Sequence, residues 1–77
     1  MNKERRNRLI EISKKLTDLM DDLEDVIEEE EEAFNNLPES LQDSTKGIVI
    51  QDRLDLLHDT ISNLESERDN LQEVIEE

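Results

Sequence analysis

Between Leu9 and Leu37 the apolar residues fall at Leu9, Ile12, Leu16, Leu19, Leu23, Val26, Ala33 and Leu37, with Glu30 in one seat. The steps alternate three and four. An α-helix lays residues so spaced along one face, and a seam of that length needs another helix to cover it. A second row, Met20, Ile27 and Phe34, runs beside the seam at intervals of seven. The remaining faces are acidic. Asp18 to Glu32 carries Asp18, Asp21, Asp22, Glu24, Asp25 and an unbroken run from Glu28, with no base among them.

The seam outweighs what composition suggests. A net charge of −14 with 42% charged residues approaches the disordered class, but a disordered chain does not hold heptad register over such a stretch. At 77 residues the chain forms one small domain with a limited core. It has no cysteine and one histidine, so neither a disulfide nor a Cys/His zinc site braces it. Self-association is the expected brace. Phe34 is the single aromatic residue, which leaves little for base stacking or a small-molecule pocket. No apolar run is long enough to span a bilayer. No apolar stretch follows the basic start, so a signal peptide is not expected.

The first helix is expected over about residues 3–36, capped by Asn2. Its start is basic: Lys3, Arg5, Arg6, Arg8, Lys14 and Lys15 outweigh Glu4 and Glu11. An antiparallel partner helix would set this end against Glu73, Glu76 and Glu77. That pairing is preferred to a nucleic-acid-binding arm, because the adjoining acidic surface repels phosphate. Direct binding of nucleic acid is therefore not expected.

Asn35-Asn36-Leu37-Pro38 ends the helix, since Pro38 disfavours helical geometry at Leu37. Residues 37–44 form the joint. It holds a short helical turn at 39–42, Leu41 tucked against Phe34, and Asp43 or Ser44 as the next cap. The second helix is expected over about 45–76. Its seam is Gly47, Ile50, Leu54, Leu57, Ile61, Leu64, Arg68, Leu71 and Ile75. Gly47 lies on this seam beside the turn, where a missing side chain lets the helices approach.

The fold class is thus all-α: an antiparallel, coiled-coil-like helical hairpin in a single domain. Glu30 would face Leu54, and Arg68 would face Leu16. Polar seam residues of this kind set register and oligomeric state. Ile48, Val49 and Leu56 widen the apolar face beyond what one partner helix covers. A homodimeric four-helix bundle is therefore expected. Its interface would comprise Leu19, Leu23, Leu57 and Ile61, with Met20, Ile27 and Leu56 at the second contact.

The joint Asn36-Leu37-Pro38-Glu39-Ser40-Leu41-Gln42, with Gly47 after it and Met1-Asn2-Lys3-Glu4-Arg5-Arg6 at the start, resembles a group of short acidic helical proteins. That group is encoded by phages and prophages of Gram-positive bacteria. Ile48, Val49 and Ile50 are more apolar than the group's pattern. The resemblance implies a small accessory phage gene working in the cytoplasm of a bacterial host. Such genes often encode inhibitors of host or defence enzymes, anti-CRISPR proteins among them. It implies no catalytic residues.

The acidic run supports three chemical readings. As nucleic-acid mimicry, its carboxylates follow one another at about 2.2 Å of helix axis, against ~1.7 Å per charge in B-DNA. Asp21, Asp22, Glu24, Asp25, Glu28, Glu29, Glu31 and Glu32 would carry the contact, and the target would be a basic, nucleic-acid-binding protein. The plainer account is a solvated, solubilising face. A metal-dependent hydrolase reading takes Glu28 and Glu31, or Glu29 and Glu32, with Asp52 and Asp55, a spacing vaguely similar to all-α nucleotide pyrophosphohydrolases. It lacks an aromatic or basic group to hold a nucleotide. A di-iron reading takes Glu30 with Asp55 and His58, but Asp55 falls outside the seam. No enzyme, metal or cofactor is expected. The alternative function is an assembly adaptor that docks helical partners through its apolar faces.

Overall fold

The computed structural model describes residues 1–77. It contains α1 (Lys3–Asn35), α2 (Glu39–Gln42) and α3 (Thr45–Glu76), with no strand. Helices α1 and α3 run antiparallel along a rod measuring 59 × 15 × 12 Å. Its radius of gyration is 17.5 Å, against about 11.5 Å for a compact chain of this length. The all-α hairpin is as the seams require. No helix is long and apolar enough to cross a membrane.

Local chemistry sets each boundary. The Asn2 carboxamide oxygen accepts from the Arg5 N–H at 2.8 Å and caps α1. The Asn36 N–H closes the last turn on the Glu32 carbonyl at 2.9 Å. Pro38 is extended and opens α2. The Gln42 amide then donates back to the Leu37 carbonyl at 3.3 Å, tying α2 to the end of α1. Of the two candidate caps, Ser44 serves: its hydroxyl oxygen accepts from the Gly47 N–H at 3.5 Å.

Two details of the joint differ from expectation. A Cβ at Gly47 would collide with the main-chain carbonyls of Gln42 and Leu41. The glycine therefore admits the end of α2, rather than α1. Leu41 does not close the apolar end and stays exposed, because its α2 carbonyl, and not its side chain, faces the start of α3.

The seam of α3 is as read: Gly47, Ile50 and Ile61 are buried, and Leu54, Leu57, Leu64, Arg68, Leu71 and Ile75 are half-buried. The seam of α1 is shifted by one row. Met20 is 2% exposed and Ile27 5%, and both pack with Ile61 among Leu16, Leu23, Leu54, Leu57 and Leu64. Ile12, Leu19 and Val26, expected in the seam, are exposed. The physical reason lies in side-chain size. The row through Leu16, Leu23 and Leu37 is shared by both arrangements. Its flank can be Leu19, Val26 and Ala33 or the bulkier Met20, Ile27 and Phe34, and burying the bulkier row removes more apolar surface from water.

The shift also satisfies polar groups. Glu30, half-buried in the shared row, receives the Arg53 guanidinium at 2.5 Å. His58 Nε2 lies 3.0 Å from a Glu31 carboxylate oxygen. Arg68 makes no ion pair. At the open end, Arg6 donates to the main-chain oxygen of Glu77 at 2.9 Å. That bond is what the expected pairing of the basic start with Glu73, Glu76 and Glu77 amounts to.

Candidate functional site

Because Met20, Leu23 and Ile27 point α1 at α3, the helical turn of about 100° per residue assigns every other side chain. The acidic run wraps the rod instead of forming a single wall. Asp21, Glu24, Glu28 and Glu31 lie on one broad side. There a shallow groove is lined by Glu24, Glu28 and Glu31 with His58 and the edges of Ile27 and Ile61. Asp18, Asp25 and Glu32 form the outer edge. Asp22 and Glu29 lie on the opposite broad side, next to the exposed row of Ile12, Leu19 and Val26.

Of the acids between Asp18 and Glu32, Glu30 pairs with Arg53, and Glu31 lies against the His58 ring. The others are exposed and carry no ion pair. Helix α3 adds Asp52, Asp55 and Asp59, also exposed, at the same height along the rod. These three extend the acidic belt across both helices. The sequence signal for them was the register: Leu37 level with Gly47 brings residues 52–59 beside the acidic run.

The arrangement attracts cationic surfaces. No three acidic or imidazole side chains converge. In the di-iron set, Glu30 is taken up by Arg53 and His58 lies against Glu31. Of the hydrolase set, Glu28 and Glu31 share the groove beside His58 without a third acid that converges on them.

The seven residues expected at a dimer interface divide sharply. Met20, Ile27 and Ile61 are buried inside the single hairpin, and Leu23 and Leu57 are half-buried there. Leu19, 64% exposed, and Leu56, 69% exposed, face outward. Ile12 and Val26 join them on α1, and Val49 on α3. Sequence reasoning placed Ile12 and Val26 inside the hairpin because the two flanking rows have the same spacing.

No family model, curated protein or solved structure matches the chain.

Proposed function

We propose that the chain is a small, non-catalytic binding protein that inhibits a host or anti-phage enzyme by occupying its nucleic-acid-binding surface. The acidic belt takes the place of a phosphate backbone, and a homodimer is the working form. One observation carries this reading: six exposed carboxylates without ionic partners, Asp18, Asp21, Glu24, Asp25, Glu28 and Glu32, repeated turn after turn on a 33-residue helix and lying away from the exposed apolar row. A basic groove evolved for nucleic acid meets that charge with the same lysines and arginines. The rod is already ordered, so little conformational entropy opposes docking. The likeness of the Asn36–Gln42 joint to phage-encoded acidic proteins supports the setting in a bacterial cytoplasm.

The test replaces Asp21, Glu24, Asp25 and Glu28 with their amides, all away from the exposed apolar row. Wild-type protein should capture nucleic-acid-binding proteins from a bacterial lysate at low salt. The variant should capture none, and a high-salt wash should release those held by the wild type. Nucleic-acid-binding proteins retained by the amide variant would overturn the reading.

The exposed Ile12, Leu19, Val26 and Leu56 favour a second reading, an adaptor that docks a helical partner. Its capture would withstand high salt and be lost on Leu19→Ser.

A further inference from the structure

The exposed apolar side of the rod differs electrically from the rest of the molecule. Beside its apolar residues it presents Arg5, Arg8, Lys15, Lys46 and Arg53, against Asp22, Glu29, Glu67 and Glu77, with Glu4 and Glu11 at its edge beside Arg8, Ile12 and Lys15. Bases and acids nearly balance there, in a chain whose net charge is −14. The other sides carry most of the net negative charge, so two copies repel least when they meet on this one.

Size allows it: a side 59 Å long and 15 Å wide has room for the ~800 Å² that each partner buries in a standard interface.

We infer that this side packs on its counterpart in a second copy, with the two-fold axis running along the rod so that each α1 lies over the partner's α3. The inference rests on the homodimer of the proposed function and adds its face, orientation and register. An axis in that direction forbids any slide along the rod. The hairpin's own register, fixed where Arg53 reaches Glu30, therefore decides which residues meet. Val26 falls against the partner's Leu56, Ala33 against the partner's Val49, and Ile12 against the partner's Val74. The charges fall into opposite-sign pairs: Arg8 with the partner's Glu77, Lys15 with the partner's Glu67, and Glu29 with the partner's Arg53. Asp22 meets the partner's Thr60 and the partner's Asn63, and no like-charged pair arises. This is the self-complementarity that a two-fold interface requires.

The competing face-to-face arrangement turns the axis across the rod and lays α1 antiparallel on the partner's α1. That axis leaves the register free. Centred on Leu19, it sets Leu56, the most exposed of the large apolar residues, against the partner's Asn70. Centred on Val26, it sets Leu56 on the partner's Leu56 but brings Asp22 against the partner's Glu29, a like-charged contact.

The chain has no cysteine, so introduced thiols report contacts without background. Val26→Cys and Leu56→Cys proteins, mixed and oxidised, should give a mixed disulfide dimer, because facing residues come within the ~7 Å between Cα atoms that a disulfide spans. Leu19→Cys alone should cross-link slowly. Sedimentation equilibrium should show Lys15→Glu weakening the dimer roughly tenfold, with Glu67→Lys in the same chain restoring it. Circular dichroism should show the hairpin unchanged in both. A dimer that gives no mixed disulfide, whether or not Leu19→Cys cross-links fast, would overturn this orientation. A monomer at every accessible concentration would overturn the dimer itself. A monomer would remove the homodimer from the proposed function, but neither result touches capture through Asp21, Glu24, Asp25 and Glu28, which lie on other sides of the rod.

Discussion

Gly47 is the residue on which the joint depends. Its missing side chain leaves room for the carbonyls of Leu41 and Gln42, which are main-chain atoms and cannot swing aside. Gly47→Ala should therefore cost about 1–3 kcal/mol by overpacking, although alanine is the better helix former. Urea denaturation would measure it, with Ser62→Ala, exposed and near neutral, as reference. A stabilised Gly47→Ala variant would mean that α2 is not held against α3. Glu30 gives the second residue-scale prediction. It occupies an apolar seat level with Leu54 and is matched by Arg53, itself half in solvent. Arg53→Ala should lower stability modestly, by about 0.5–1 kcal/mol, because a half-buried carboxylate then lacks its partner. Glu30→Leu should raise stability, and in that background Arg53→Ala should cost nothing. An equal loss in both backgrounds would show that Arg53 acts through something other than Glu30.

At the scale of elements, helix limits and caps were legible because each has a local cause. Asn2, Pro38 and Ser44 act on atoms within three or four residues, and the boundaries fall where they put them. The α3 seam was legible because it is the one complete row on its helix. The α1 seam was not, because two rows flank Leu16, Leu23 and Leu37 at equivalent spacing, and periodicity does not rank them. Side-chain volume does: Met20, Ile27 and Phe34 outweigh Leu19, Val26 and Ala33. The same ambiguity hid the acidic belt's third dimension, since Asp52, Asp55 and Asp59 join it only through the hairpin register. The belt has an energetic signature of its own. Asp21–Asp25, Glu24–Glu28, Asp25–Glu29 and Glu28–Glu32 are like charges one turn apart, each costing about 0.2–0.5 kcal/mol. Amides at residues 21, 24, 25 and 28 relieve all four, so the variant should melt higher than wild type at low salt. The gap should close in high salt as screening removes the repulsion. A variant that melts lower would show that these carboxylates brace the fold.

For the whole molecule, charge and shape make opposite demands, and ionic strength separates them. Each rod carries a net charge of −14, so two rods repel as they approach even when the meeting faces are near neutral. At physiological salt the Debye length is ~8 Å, comparable to the 12–15 Å thickness of the rod. Lowering the salt lets the distant acidic sides of the two copies feel each other. The dimer, held by apolar contact with a few rim ion pairs, should therefore tighten as salt rises from roughly 0.05 to 0.5 M. Binding to a basic nucleic-acid groove should weaken over the same range, because counterions released by the partner's cations are part of its driving force. Two equilibria of one protein should thus respond to salt with opposite sign. Sedimentation equilibrium at several salt concentrations measures the first, and capture of basic proteins over the same series measures the second. If the dimer also loosened with salt, the rim ion pairs would outweigh the mutual repulsion of the rods, and electrostatics would be holding the copies together. If the dimer tightened while capture was insensitive to salt, the apolar row would be serving both associations. The acidic belt would then be only the molecule's means of staying dispersed.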